Sequence, residues 1–360
     1  MITFRRYWKN SQGVKIFRLK WFVISVIFWT AIDLWVTGRP GERSRITNSG
    51  FEVNDYNIST AGILLSLLAN TLIGLVYFYW VPLISEKRYA IFVRLFKIGI
   101  TVLAISVFSI LRFSATASIN AIVVNVYDLA LNSGFLADII FVKCLVVLAS
   151  HLVYLIGQKY TPGFFLGMIL GRYSSPRTEQ RIIMFIDLRD STPISEQLGH
   201  EKYFLLIRDF VFHVCNAALL NQGDIYQYVG DEVIVTWPKL KKNSRKCIQT
   251  LILSRKFLQT QANYFKTTYG LAPEFRVGIH AGPVSIGEIG VVKKELAMSG
   301  EAMNITARIR GVCSELNQKH VVSEDFFAFT GLKEWQGEDL GEISLKGIET
   351  RDIKLYGLKI

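Results

Sequence analysis

Ile182-Ile183-Met184-Phe185-Ile186-Asp187, continued by Leu188-Arg189-Asp190-Ser191-Thr192, is the stretch on which the fold turns. An apolar run rich in β-branched residues ends in a carboxylate and reads as a strand. Asp190-Ser191-Thr192 then opens a helical pattern that extends through Leu220, with Ser191 or Thr192 as its N-cap. Such a junction sets Asp187 at a strand end beside the free backbone N–H groups of a helix start, where phosphate oxygens and a metal can be held together. Standing alone, an Asp after a strand is a capping or turn residue.

It does not stand alone. Gly223-Asp224-Ile225-Tyr226-Gln227-Tyr228-Val229 leads through Gly230-Asp231-Glu232 into Val233-Ile234-Val235-Thr236-Trp237. Two β-rich runs around a tight turn predict a hairpin with Asp231 at its tip, although Gly-Asp in a turn is by itself common.

Around these segments lie 360 residues, enough for two or three folded units. With 51% hydrophobic residues, 13% aromatics and 19% charge, the chain is neither disordered nor an ordinary soluble enzyme, and part of it must meet lipid. Basic residues beside apolar spans account for the net charge of +12, so no nucleic-acid partner is expected. Cys144, Cys215, Cys247 and Cys313 are widely spaced, with neither a disulfide framework nor a zinc pattern, and read as reduced, buried thiols.

The long apolar runs fall before residue 160, and Trp21 to Val36, Ile63 to Ile84, Ile91 to Leu111 and Phe135 to Gly157 are candidate membrane helices. Arg5, Arg6, Lys9, Lys15, Arg18 and Lys20 precede the first span, which predicts a cytoplasmic amino terminus. Four crossings of the inner membrane then return the rest of the chain to the cytoplasm. Asp33, Asp138, Lys143 and His151 sit inside the presumed spans, where ionisable groups are costly, and either pair and snorkel or serve sensing. The expected division is a four-span domain over 1–157, a linker over 158–180 broken by Pro162, Gly163, Gly167, Gly171 and Pro176, and a catalytic domain over 181–360.

From Arg181 to Leu358 the chain resembles the class III nucleotidyl cyclases. Phe185 to Thr192 is similar to that family's first metal-aspartate segment, and Tyr228 to Glu232 to its second. Arg276-Val277-Gly278-Ile279-His280-Ala281-Gly282-Pro283-Val284 resembles its middle strand and glycine turn. Gly300-Glu301-Ala302-Met303-Asn304-Ile305-Thr306-Ala307-Arg308 resembles its asparagine and arginine helix, and Leu345-Lys346-Gly347 its late lysine segment.

The resemblance implies an α-helical membrane bundle followed by an α/β, ferredoxin-like βαββαβ catalytic domain. It further implies conversion of ATP to 3′,5′-cyclic AMP and pyrophosphate with two Mg²⁺ or Mn²⁺ ions per site. Asp187 and Asp231 become shared metal ligands, with the backbone carbonyl of Leu188 beside them. Asn304 and Arg308, four apart on one helix face, become the residues that orient the ribose and meet the α-phosphate. Lys346 takes the terminal phosphate, and Thr192 at the helix start joins the substrate-binding set. In the family the aspartates and the Asn, Arg and Lys set come from opposite protomers, which implies a homodimer.

The positions that select the base in the family hold Gln227 and Ala297 here, rather than the lysine and aspartate or threonine of familiar adenylate cyclases or the glutamate and cysteine of guanylate cyclases. Glutamine can bond either purine and alanine neither. ATP is the expected substrate on family frequency, with GTP or a pyrimidine triphosphate open. Two rivals stand: a diguanylate cyclase, from Val229-Gly230-Asp231-Glu232-Val233, and an inactive membrane receptor or interaction module.

Overall fold

A computed structural model describes residues 12–37, 67–68, 71, 164, 167–168, 170–292, 294–345 and 352–359. The chain divides into two compact units, Met1–Phe17 with Lys159–Ile360, and Arg18–Gln158.

The unit holding the candidate site is built on one mixed sheet. Its strands are β1 (Arg177–Leu188), β2 (Asp224–Val229), β3 (Glu232–Pro238), β4 (Phe275–Ile289), β5 (Glu295–Ser299), β6 (His320–Ser323), β7 (Gly337–Ile343) and β8 (Ile353–Leu358). They run in the order β2-β3-β1-β4-β6-β8-β7, with β5 paired to β4. The first four strands, antiparallel throughout and connected by helices after β1 and β3, form the expected βαββαβ core. β6 is parallel to β4 and extends the sheet beyond that core.

Both faces of β1 are covered, which is why its sequence shows a continuous apolar run and not alternation. Ile182, Met184, Ile186 and Leu188 pack with Leu206, Phe210 and Val214 of one helix and with Cys247, Leu251 and Phe265 beyond it. Ile183 and Phe185 point to the other face, against Ile234, Val284, Met298 and Ala302. Burying each such side chain contributes roughly 1.5–3 kcal/mol before entropy is counted. Because side chains alternate along a strand, Asp187 shares the second face.

The helical pattern after β1 is broken in two, α1 (Ser191–Leu198) and α2 (His200–Leu220), at Gly199 with φ 72°. The residue before α1 is Asp190, in the left-handed region at φ 56°, and no side chain caps the helix; the expected Ser191 or Thr192 cap does not form. Asp190 tolerates that conformation, and its carboxylate is held by Arg189 at 3.2 Å and Arg276 at 3.4 Å instead. β1 also starts at Arg177, inside the stretch read as linker, and Phe164 and Tyr173 are buried against its second face. Buried Arg181 ties the hairpin to β1, donating from Nη2 to Asp224 Oδ2 and to Thr236 Oγ1, both at 2.8 Å.

After α3 (Lys241–Thr260) and α4 (Ala262–Tyr269), β4 runs unbroken from Phe275 to Ile289, so the turn expected at Gly282 is absent. Its glycines serve close packing. A Cβ on Gly278 would stand 2.6 Å from the main-chain nitrogen of Arg310 and 2.7 Å from the carbonyl of Thr306, and one on Gly282 2.9 Å from Ala302 Cβ. That space admits α5 (Glu301–Val312) onto the sheet.

Among the described residues, one helix is long and apolar enough to cross a membrane, α2, and 56% of its apolar window is buried inside the folded unit, as in a core helix. A 26-residue helix, Gln12–Thr37, contains the first expected span; it exposes Leu19, Ile24, Ile27 and Phe28. Of the second span, Leu67, Leu68 and Thr71 are helical. The remainder of that span and the third and fourth, with Asp138, Lys143 and His151, lie outside the described residues.

Candidate active site

Asp187 and Asp231 are distant in sequence and adjacent in space. β1 places Ile186 opposite Val233, so the β2–β3 turn sits beside the end of β1. Gly230, at φ 64°, supplies the positive φ that the two-residue connection requires. The Asp231 carboxyl lies close enough to raise the proton affinity of Asp187. Burial first, and then the Asp231 charge, push the Asp187 carboxyl up to about 6, while the nearby Arg310 guanidinium opposes them. Burial likewise raises Glu232.

Arg310 bridges this cluster. Its Nη1 donates to Asp187 Oδ2 at 3.1 Å, and its Nη2 lies 2.8 Å from Glu232 Oε2. Asp231 Oδ2 is buried with no hydrogen-bond partner among the described residues. An orphaned carboxylate oxygen next to a second, proton-hungry carboxylate suits a divalent cation. No group of three or more metal-ligating side chains occurs among the described residues. Two carboxylates are nonetheless what a cation needs when waters and substrate phosphates complete its shell. Leu188, the last residue of β1, has a buried side chain.

The other expected residues are spread over several elements. Asn304 and Arg308 are exposed on α5, and among the described residues the cation bonded to Asp187 is Arg310, not Arg308. Gln227 on β2 and Ala297 on β5 are brought to one region by a hydrogen bond from the Met298 N–H to Tyr226 Oη at 2.8 Å. Tyr226 is the extra residue of a bulge in β2, between Ile225 and Gln227, and a bulge re-aims side chains in this way. Thr192 is exposed in the first turn of α1, and Lys346 lies outside the described residues.

Arg310, Glu232 and Tyr226 were not singled out by the sequence. Glu232 adjoins Asp231 and could have been; Arg310 could not, because only the seating of α5 on Gly278 turns it inward.

A mixed sheet with a βαββαβ core and two carboxylates at adjoining strand ends is the frame of a nucleotide cyclase domain. The profile described as the adenylate and guanylate cyclase catalytic domain matches residues 173–359, and the chain belongs to that family. It is 31% identical over 185 residues to adenylate cyclase 2 of Rhizobium meliloti (strain 1021), covering 51% of each chain. To the adenylate cyclase of Anabaena cylindrica it is 22% identical over 178 residues, 46% of this chain and 35% of that one. The chain thus spans about half, or less, of the length of these curated relatives. Among solved structures, a bacterial light-regulated adenylyl cyclase shares the fold, with a TM-score of 0.54 at 18% identity over 64% of this chain and 67% of that one.

Proposed function

We propose that this chain is a membrane-anchored class III cyclase that converts ATP to 3′,5′-cyclic AMP and pyrophosphate at the interface of a homodimer. The observation that carries the reading is the meeting of Asp187 and Asp231 at one end of the sheet, with an unpartnered oxygen on Asp231.

In this reading Asp187 and Asp231, with the Leu188 carbonyl, hold two divalent cations, Mg²⁺ or Mn²⁺. When bound, the cations lower the pKa of the ribose 3′-hydroxyl and neutralise charge on the departing pyrophosphate. Asn304 and Arg308, exposed on α5, reach the partner's nucleotide: the amide orients the ribose, and the guanidinium meets charge building on the α-phosphate. Lys346 supplies a point charge to the terminal phosphate. Gln227 and Ala297 face the base.

The amino-terminal spans fix the dimer in the inner membrane and raise the effective concentration of the two catalytic halves, which work in the cytoplasm. Exposed apolar residues along Gln12–Thr37 support an anchoring role for that helix.

The test is a nucleotide-product assay on the full chain in membranes, with Mg²⁺ and then Mn²⁺. Metal-dependent cyclic AMP and pyrophosphate are expected, with Asp231→Asn lowering turnover by about 100-fold or more. Cyclic dinucleotide from GTP would establish the diguanylate reading instead, and no product from any triphosphate would leave an inactive module.

A further inference from the structure

Arg310 stands where a cation is expected. Its guanidinium spans the end of β1 and the start of β3, with one arm on Asp187 and the other on Glu232. The side chain is only 32% exposed, and its Nε is buried with no hydrogen-bond partner among the described residues. The main chain of Arg310 is seated against Gly278, where no side chain would fit, so the guanidinium is delivered from a fixed base. It belongs to the same chain as the aspartates, whereas Asn304 and Arg308 on the same helix face outward.

A partly buried cluster of carboxylates needs compensating positive charge. Arg310 supplies it in a metal-free chain. A divalent ion arriving at Asp187 brings like charge against the guanidinium, in a setting that screens it poorly. Metal and guanidinium would share the lone pairs of one carboxylate, and their like charges repel there.

We propose that Arg310 is a resident counter-cation that competes with the divalent ions for Asp187, so that metal loading requires release of its Nη1 arm and metal affinity is set by that competition. The inference rests on the metal-site reading given above. Arg310 is a positioning residue in this scheme, since it acts on the reaction through the carboxylate. The ordinary alternative, an ion pair that merely fastens α5 to the sheet, predicts that its loss weakens metal binding by disordering Asp187.

The deciding measurement is Mn²⁺ binding to the nucleotide-free full chain, followed by the electron paramagnetic resonance of free Mn²⁺. Wild type, R310Q, R310K and D187N are compared. Competition predicts about tenfold tighter binding in R310Q, on the scale of one partly buried ion pair, and an intermediate gain in R310K, which keeps charge but loses the fork. Equal or weaker binding in R310Q, with D187N abolishing it, overturns the competition and leaves the metal site standing. Binding that is unchanged in D187N overturns the metal site and the competition together. If R310Q does not fold, R310K decides: a change of less than about twofold rejects the proposal.

Discussion

Arg308 and Arg310 are two residues apart on α5 and face different sites: Arg310 is bonded to Asp187 of its own chain, and Arg308 is exposed. Two steps along an α-helix turn about 200°, so the helix presents the two guanidinium groups to opposite sides.

From this geometry a mixture of two inactive chains should recover activity. Asp187→Asn removes a carboxylate proposed to hold metal, and Arg308→Ala removes the group proposed to reach across the interface. Random pairing of equal amounts makes half the dimers mixed, each with one complete site, so about a quarter of wild-type turnover is expected. Cyclic AMP formation in co-expressed chains checks this, and a mixture as inactive as its parts would place Arg308 in its own chain's site.

Base selection should be tunable at Gln227 and Ala297. The double variant Gln227→Lys, Ala297→Asp adds groups that read an adenine edge, and its preference for ATP over GTP should rise by about tenfold or more. Competition assays with the four triphosphates measure it. Tyr226→Phe removes the hydroxyl that accepts the Met298 N–H, and should blur discrimination while costing about 1 kcal/mol of stability.

Gly278→Ala should be among the most damaging small substitutions in the domain. The new methyl meets main-chain atoms of Arg310 and Thr306, which cannot rotate away, so α5 must lift from β4. A loss of about 2–3 kcal/mol is expected in chemical denaturation, together with loss of turnover. Gly171→Ala, where nothing lies within 4 Å, controls for open space, although its φ of 65° carries its own backbone strain.

Acid stability should carry two opposed contributions. Burial drives His213 and His320 down to about 4, so they stay neutral in the fold but take up protons once unfolded below about 6.5. Stability from these two rises with pH between about 4 and 6.5 and is lost as the solution is acidified, by on the order of 3 kcal/mol per histidine. Asp187, raised to about 6, works the other way: in the metal-free fold it holds a proton that the unfolded chain has released, so its contribution falls as pH climbs from about 4 to 6. Melting temperatures across that range should therefore flatten in His213→Asn and steepen in Asp187→Asn.

Much of the domain was legible in order along the chain. The run Ile182 to Asp187, the hairpin around Gly230-Asp231 and the helix bearing Asn304 and Arg308 are local patterns, and local patterns follow from side-chain period and turn chemistry. What failed was also local in form but tertiary in cause. Gly282 has the composition of a turn, yet β4 continues through it because α5 needs the space. Ser191 and Thr192 look like caps, yet Asp190 takes the boundary because Arg189 and Arg276 engage its carboxylate.

By itself the sequence determined the residue types and their succession: an acid at a strand end, an acid at a hairpin tip, an amide and a guanidinium one helical turn apart. Only the tertiary structure decided which of them meet. Strand pairing puts Asp187 beside Asp231, and close approach over Gly278 sends Arg310 inward and leaves Arg308 outside. The reason is that charge and hydrogen-bonding capacity belong to individual residues, whereas proximity belongs to the sheet register and helix packing, which depend on contacts between residues far apart in the chain.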